Sequence, residues 1–398
     1  MLIGGENVKM VEKKQNIEKE KQSNSKNQKW LTMIIFILGG GACGFIGMYC
    51  LEKLIGKDAG AGKLICALSD LIILMYIVMF GHIIIHELGH LVFGLLTGYQ
   101  FASFRIGSLM FVKKEGKIKV KKFSLMGTGG QCLMMPPKME NGTMPYRLYN
   151  LGGVIFNMIL GGIGLVLFFV LHKYVLLQLI CILFAIIGMG AAMTNGIPIH
   201  GDVDNDGANV CSLGKNPEAL RSFWIQLQVN ALITKEARIK DMPGEWFRVP
   251  AIEDMKNNAL CTAVGVFACN YAMDRKDFEK AGEIAEKLLN NDINLTFLYK
   301  ELLIMELCFC ELIGEKRTEV LEQTKTKDFE RFARAMSSNP SVLRMQYAYE
   351  LLEKKDQKAA QKKLEQFEKV AKNYPHTCEI EAERELIEIV KQKDKEEI

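Results

Sequence analysis

Between Leu71 and Leu96 the chain strings together 26 residues of which only Glu87 is charged. About 20 apolar residues suffice to cross a bilayer, and in lipid such a run can satisfy its backbone polar groups only as a helix. Three more runs have comparable length and apolarity. The sequence therefore predicts four membrane spans, at about 31–51, 71–96, 148–171 and 175–194, with Asp70 at the entrance of the second. A polar stretch of 29 residues precedes the first, which favours an uncleaved span over a signal peptide.

The mean composition hides this split. Through Val210 the chain carries 20 Lys+Arg against 13 Asp+Glu, and the remainder carries 30 against 33. Such partition excludes a disordered chain, a collagen-like chain and a single soluble globule. The basic surplus is too small and dispersed for a nucleic-acid partner. Eleven cysteines are scattered without a CxxC pair. They read as reduced thiols rather than a disulfide framework or a structural zinc module.

Lysine and arginine set the expected orientation. Seven lysines precede the first span, and the 98–145 loop holds eight basic residues against only Glu115 and Glu140. The 52–63 loop holds three lysines and the 172–174 link one. The expectation is a multi-pass protein of the cell membrane, in contact with the lipid bilayer, with both termini and the long loop in the cytosol.

Domain limits follow: a basic segment 1–29, a membrane domain 30–210 with a hairpin loop at 98–145, and a cytosolic domain 211–398. The fold class expected is mainly α. A four-span membrane domain with a small β-hairpin is followed by an all-α domain of helical hairpins. In the loop, Lys117 to Lys121 alternates strictly, Phe101 to Val112 is rich in aromatic and β-branched residues, and Glu115-Gly116 supplies the turn. The hairpin would pack its apolar face on the membrane domain or present an edge strand to an extended peptide. In the tail, helices are expected at 257–272, 278–289, 297–312, 342–352 and 359–371. Short turns are expected at 274–277 and 354–357, a linker turn at 241–247, and fraying from about Lys391. The pairing is similar to tetratricopeptide hairpins, although no clean 34-residue period is present. A cytosolic partner docked on a concave helical surface is the corresponding functional expectation.

The second span ends in His86-Glu87-Leu88-Gly89-His90, an HExxH. Residues four apart share a helix face, so both imidazoles can reach one ion. Glu87 lies about 100° round the helix, placed to take a proton from a water held there. Burying these groups at hydrocarbon depth is costly unless something pairs with them, and Zn²⁺ does so. Satisfaction by neighbouring helices is the plainer alternative. His82, one turn earlier, reads as a polar residue satisfied by its surroundings. A catalytic zinc needs a third protein ligand. After the fourth span, Asp202, Asp204 and Asp206 offer carboxylates, with His200 nearby. Calcium is disfavoured because the later glutamate of an EF-hand is missing.

At this point the chain resembles the site-2 protease family, zinc metalloproteases that cut peptide bonds within the membrane. The resemblance covers roughly residues 66–210. It rests on HELGH in a span, on Gly152-Gly153-Val154-Ile155-Phe156-Asn157 (similar to the family's G-P-x-x-N), and on Asn195-x-x-Pro198 with Asp206-Gly207 (similar to N-x-x-P…D-G). It implies that His86, His90 and Asp206 bind one catalytic Zn²⁺, that Glu87 is the general base, and that Asn157 and Asn195 hold substrate or the oxyanion. Val154 departs from the family's proline. Seven residues separate Pro198 from Asp206 instead of the usual four, which keeps Asp202 and Asp204 in contention. Asp206 is preferred because glycine follows it, as a sharp turn beside a ligand would require.

The function expected is a zinc-dependent intramembrane endopeptidase acting on a membrane-spanning protein or peptide. Other HExxH membrane proteases would seek a glutamate on a later helix as third ligand. A non-catalytic membrane-anchored helical adaptor with a structural or relic zinc is the non-enzymatic alternative, and the intact Glu87 argues against it.

Overall fold

The computed structural model describes residues 30, 33–34, 37–56, 59–114, 117–122, 129–199, 201, 204–314 and 316–397. Contacts divide the chain into two units. One comprises the residues up to Thr97 with Pro145–Ser212, the other Gly98–Met144 with Leu213 onward.

The first unit is helical. Helix α1 (37–55) is followed by α2 (Ala61–Leu96), α3 (Arg147–Val170), α4 (Val175–Gly196) and the short α5 (Asp206–Leu213). Among the described residues, α2, α3 and α4 are the three helices long and apolar enough to cross a membrane. The expected first span is helical from residue 37, and part of its beginning lies outside the described residues. Side chains such as Ile72, Tyr76, Ile77, Phe169 and Leu176 stand exposed on the outer faces, as lipid-facing positions would be in the absence of lipid.

The second span differs from expectation in where it begins. Its helix starts ten residues early, so Asp70 lies within the helix rather than at its mouth. Thirty-six residues give a rod about 54 Å long, well beyond the ~30 Å hydrocarbon core. Hydropathy marks the lipid boundary, whereas helix propensity carries the backbone onward through Lys63, Leu64 and Ile65. The helix stops where Thr97 folds its hydroxyl back on the Phe93 carbonyl (2.7 Å) and Gly98 takes φ +87°. Cys43, Cys50 and Leu51 of α1 pack against Leu71 of α2 and Leu179 and Leu183 of α4.

The second unit joins a sheet to the tail helices. Strands β1 (Gln100–Ile106), β2 (Leu109–Lys114), β3 (Lys117–Lys122) and β4 (Gly130–Met135) form an antiparallel sheet ordered β3-β2-β1-β4. The expected hairpin is present as β2–β3. The 101–112 segment, expected as one strand, is instead two: Ile106 pairs with Leu109 across Gly107-Ser108, and Gly107 takes φ +56°, which glycine adopts without strain. A fourth strand, Gly130–Met135, was not expected. The edge strand β3 is lysine-rich and almost wholly exposed, a pattern that discourages indiscriminate edge pairing.

Helix α6 (Pro217–Thr234) runs along β1 and β4. Trp224 Nε1 donates to the Pro137 carbonyl (2.8 Å), Gln228 Nε2 donates to Pro136 (3.0 Å), and Ala102, Leu133 and Ala231 form a buried cluster. Asn216 caps the helix by accepting from Glu218 and Ala219, with Pro217 in the first turn. Among the described residues, nine α-helices follow: α7 (Ile252–Asn257), α8 (Ala259–Asp274), α9 (Phe278–Leu289), α10 (Phe297–Ile313), α11 (Thr318–Leu321), α12 (Lys327–Ala335), α13 (Pro340–Ala348), α14 (Gln357–Ala371) and α15 (Thr377–Glu396). The turns expected at 274–277 and 354–357 are present, with Lys276 and Lys355 at positive φ. The end expected to fray is helical to Glu396, because Lys393 reaches the Ile313 carbonyl (2.6 Å) and Glu397 pairs with Lys316 and Lys355. Among the described residues no cysteine is joined in a disulfide.

Candidate metal centre

Three side chains converge inside the first unit. His86 and His90 sit one turn apart on α2, their Nε2 atoms 3.1 Å from each other. Asp206, first residue of α5, brings Oδ2 within 3.1 Å of His86 Nε2 and 3.5 Å of His90 Nε2. The side chains are 14%, 12% and 18% exposed for His86, His90 and Asp206. Ligand atoms 2.0–2.2 Å from a tetrahedral zinc lie about 3.3–3.6 Å apart, and the three spacings of 3.1, 3.1 and 3.5 Å are within about 0.2 Å of that range. Asp206 Oδ2 is also buried without a regular hydrogen-bond partner. Buried acceptors are rarely left so, and a cation among the three atoms would resolve it.

Close helix packing builds this geometry. A Cβ placed on Gly153 would lie 2.4 Å from the His86 ring, and one on Gly152 would lie 2.4 Å from the Gly89 carbonyl oxygen. The Gly152-Gly153 pair lets α3 lie directly against the HExxH turn, and Val154 in the following position is simply buried. From the first turn of α3 the Tyr149 carbonyl stands 2.7 Å from His90 Nδ1. That carbonyl can only accept, so Nδ1 carries the proton and Nε2 keeps its lone pair for a metal.

Asp206 is held by a residue that sequence reasoning passed over. Asn205 donates from Nδ2 to the carbonyls of Thr194 (2.8 Å) and Ile197 (2.7 Å), and its Oδ1 accepts from the amides of Ile199 (3.1 Å) and Ala208 (2.9 Å). It ties the end of α4 to the start of α5. The available signal was an asparagine immediately before a helical Asp-Gly, an N-cap pattern. Gly207 serves differently from expectation. It is helical, and a Cβ there would lie 2.2 Å from the Gly196 carbonyl oxygen. The residue permits close approach of α5 to α4 rather than a sharp turn.

The remaining expected residues separate. Asn157 is buried on α3 with Nδ2 3.4 Å from His86 Nδ1 and Oδ1 3.0 Å from His82 Nδ1. Asn195 donates its amide to the Ala191 carbonyl of its own helix (2.9 Å). Glu87 is half-buried on α2. Among the described residues, the group that could hold a metal is His86, His90 and Asp206, which does not include Asp204. Asp202 and His200 lie outside the described residues.

Two imidazoles one turn apart on a membrane-length helix, closed by a carboxylate from beyond a later one, form a His-His-Asp cluster that could hold a metal ion. A family model described as Peptidase family M50 matches residues 74–386. The chain belongs to that family, the site-2 protease family of membrane zinc metalloproteases. The match runs well past the 66–210 region in which the motifs lie and includes most of the tail. Comparisons with curated proteins and with solved structures gave no match.

Proposed function

We propose that this protein is an intramembrane zinc endopeptidase that hydrolyses a peptide bond of a membrane-spanning protein or peptide. The observation that carries the reading is the convergence of three metal-ligand atoms, 3.1 to 3.5 Å apart, two of them on a helix long and apolar enough to cross a membrane and the third at the start of α5. His86, His90 and Asp206 hold one Zn²⁺. When bound, the ion supplies Lewis acidity and lowers the pKa of a coordinated water. Glu87 is the general base: it accepts the proton of the attacking water and returns it to the leaving amine. Tyr149 and Asn205 orient the ligands through their hydrogen bonds. Asn195, with Nδ2 held by Ala191, presents Oδ1 as an acceptor for substrate.

The same reading places four spans in the bilayer and both termini in the cytosol, from the lysine distribution. The exposed strand β3 is the element on which an extended substrate would add by strand pairing. The paired tail helices, tetratricopeptide-like in arrangement, would dock a cytosolic partner.

Glu87→Gln tests the reading. The variant retains about one zinc per chain, and a fragment present in wild-type membranes disappears from the membrane proteome. Cleavage at the wild-type rate would refute the assignment of Glu87.

A further inference from the structure

Behind the metal centre lies a chain of polar contacts to which the proposed reaction gives no task. The carbonyl of Phe184 on α4 stands 2.9 Å from His82 Nε2, His82 Nδ1 stands 3.0 Å from Asn157 Oδ1, and Asn157 Nδ2 stands 3.4 Å from His86 Nδ1. His82 and Asn157 are 2% and 1% exposed. Three helices contribute, and α4 is shaped to seat the far end: a Cβ on Gly188 would lie 2.4 Å from His82 Cε1.

We propose that Asn157 and His82 are positioning residues that fix the ring and tautomer of His86 for zinc, with Phe184 as the terminal acceptor. The proposal rests on His86 Nε2 being a zinc ligand, as proposed above. It departs from the expectation that Asn157 holds substrate, because both ends of its side chain are already engaged within the protein.

Counting donors and acceptors supports this. A His86 that gives its Nε2 lone pair to zinc must carry its proton on Nδ1. Of the two ends of the Asn157 amide, only Oδ1 can accept that proton. With Oδ1 toward His82 and Nδ2 toward His86, both His82 nitrogens face acceptors and would each need a proton, while His86 Nδ1 would have to be bare. Half a turn of the amide about its last bond exchanges the two ends without moving anything else. His86 Nδ1–H then donates to Oδ1, Nδ2 donates to His82 Nδ1, and His82 Nε2–H donates to the Phe184 carbonyl. Every member is satisfied with neutral imidazoles, which is what a network buried in a membrane domain requires. Zinc on His86 thereby selects one amide orientation and one His82 tautomer.

Two measurements on the full chain test this. In the zinc-loaded wild-type protein in nanodiscs, imidazole ¹⁵N spectra should show His82 protonated on Nε2 with Nδ1 bare. Protonation of His82 on Nδ1 in that state overturns the proposal. Separately, zinc affinity is read by competition with a fluorescent chelator in Asn157→Asp and Asn157→Leu, variants of similar size. Aspartate keeps an acceptor for His86 and should hold zinc at least as tightly as wild type. Leucine removes it and should weaken zinc by about 10- to 100-fold. Equal affinity of the two variants, within about twofold, sinks the relay even if cleavage differs, and returns Asn157 to a substrate role. A wild-type chain that binds no zinc at His86 and His90 would instead refute the proposed function, and the relay with it.

Discussion

The two units both bury charged or strongly polar side chains, and they satisfy them in opposite ways. In the tail, Arg344 is 1% exposed, yet its Nη2 reaches both Glu306 oxygens at 2.8 Å, its Nε reaches Glu383 at 2.7 Å, and its guanidinium lies 4.1 Å over the Phe309 ring. Burial pushes the Glu306 carboxyl up while Arg344 pulls it back down. Donors meet acceptors there, with Arg344 Nη1 alone left without a hydrogen-bond partner, so the opposite charges pair within the chain. In the helical unit the converging atoms are the Nε2 atoms of two imidazoles and a carboxylate oxygen; with both Nε2 atoms unprotonated, as metal ligation requires, all three are acceptors. Acceptors facing acceptors are stable together only around a cation. A polar cluster whose charges pair within the chain is architectural, and one whose acceptors converge on one another is a candidate metal centre.

The largest test of that contrast is removal of a ligand. His90→Ala should bring zinc from about one per chain to background and abolish cleavage, while leaving thermal unfolding of the tail unchanged. Gly153→Ala should come next. Its methyl would displace the His86 ring, so zinc affinity should fall about 10- to 100-fold, measured by chelator competition. In the tail, Arg344→Met would leave the buried Glu306 and the half-buried Glu383 without their cation. That should cost about 3–5 kcal/mol of tail stability, read by denaturant unfolding, with zinc content unaffected. Loss of zinc in this variant would erase the distinction between the two clusters.

The smallest expected effect is one of pH. Burial first, then neighbouring Glu383, pushes the Glu379 carboxyl from 4.5 up to about 7. The folded tail therefore keeps a proton that the unfolded chain releases. Its stability should fall as pH rises from about 4.5 to about 7 and level off above, by up to ~3 kcal/mol. Glu379→Gln should flatten that slope in unfolding experiments performed across the range.

Legibility in the sequence followed the physical character of each signal. HExxH is local: helical periodicity alone puts His86 and His90 on one face. The apolar runs 148–171 and 175–194 gave helices α3 and α4 almost to the residue, and the apolar and polar faces of Phe278–Leu289 gave α9, because a continuous apolar run and a helical periodicity are both local. The extension of α2 to Ala61 was hidden because hydropathy reports lipid contact rather than helix ends. The fourth strand, Gly130–Met135, was hidden because its pairing partner is some 30 residues away in sequence. Helices α6 and α15 lacked a distinctive pattern of their own. At the site, Tyr149 and Phe184 meet the histidines through backbone carbonyls, which every residue possesses. Gly207 was noticed for its position after an aspartate, but its use in close helix packing emerges only in three dimensions.

X-ray absorption at the zinc edge of the purified, zinc-loaded chain tests the central claim most directly. The prediction is one zinc per chain with nitrogen and oxygen neighbours only, at about 2.0–2.2 Å, two of them imidazole, and with one imidazole lost in His86→Ala. Sulfur neighbours at about 2.3 Å, or a spectrum unchanged in His86→Ala, would contradict it.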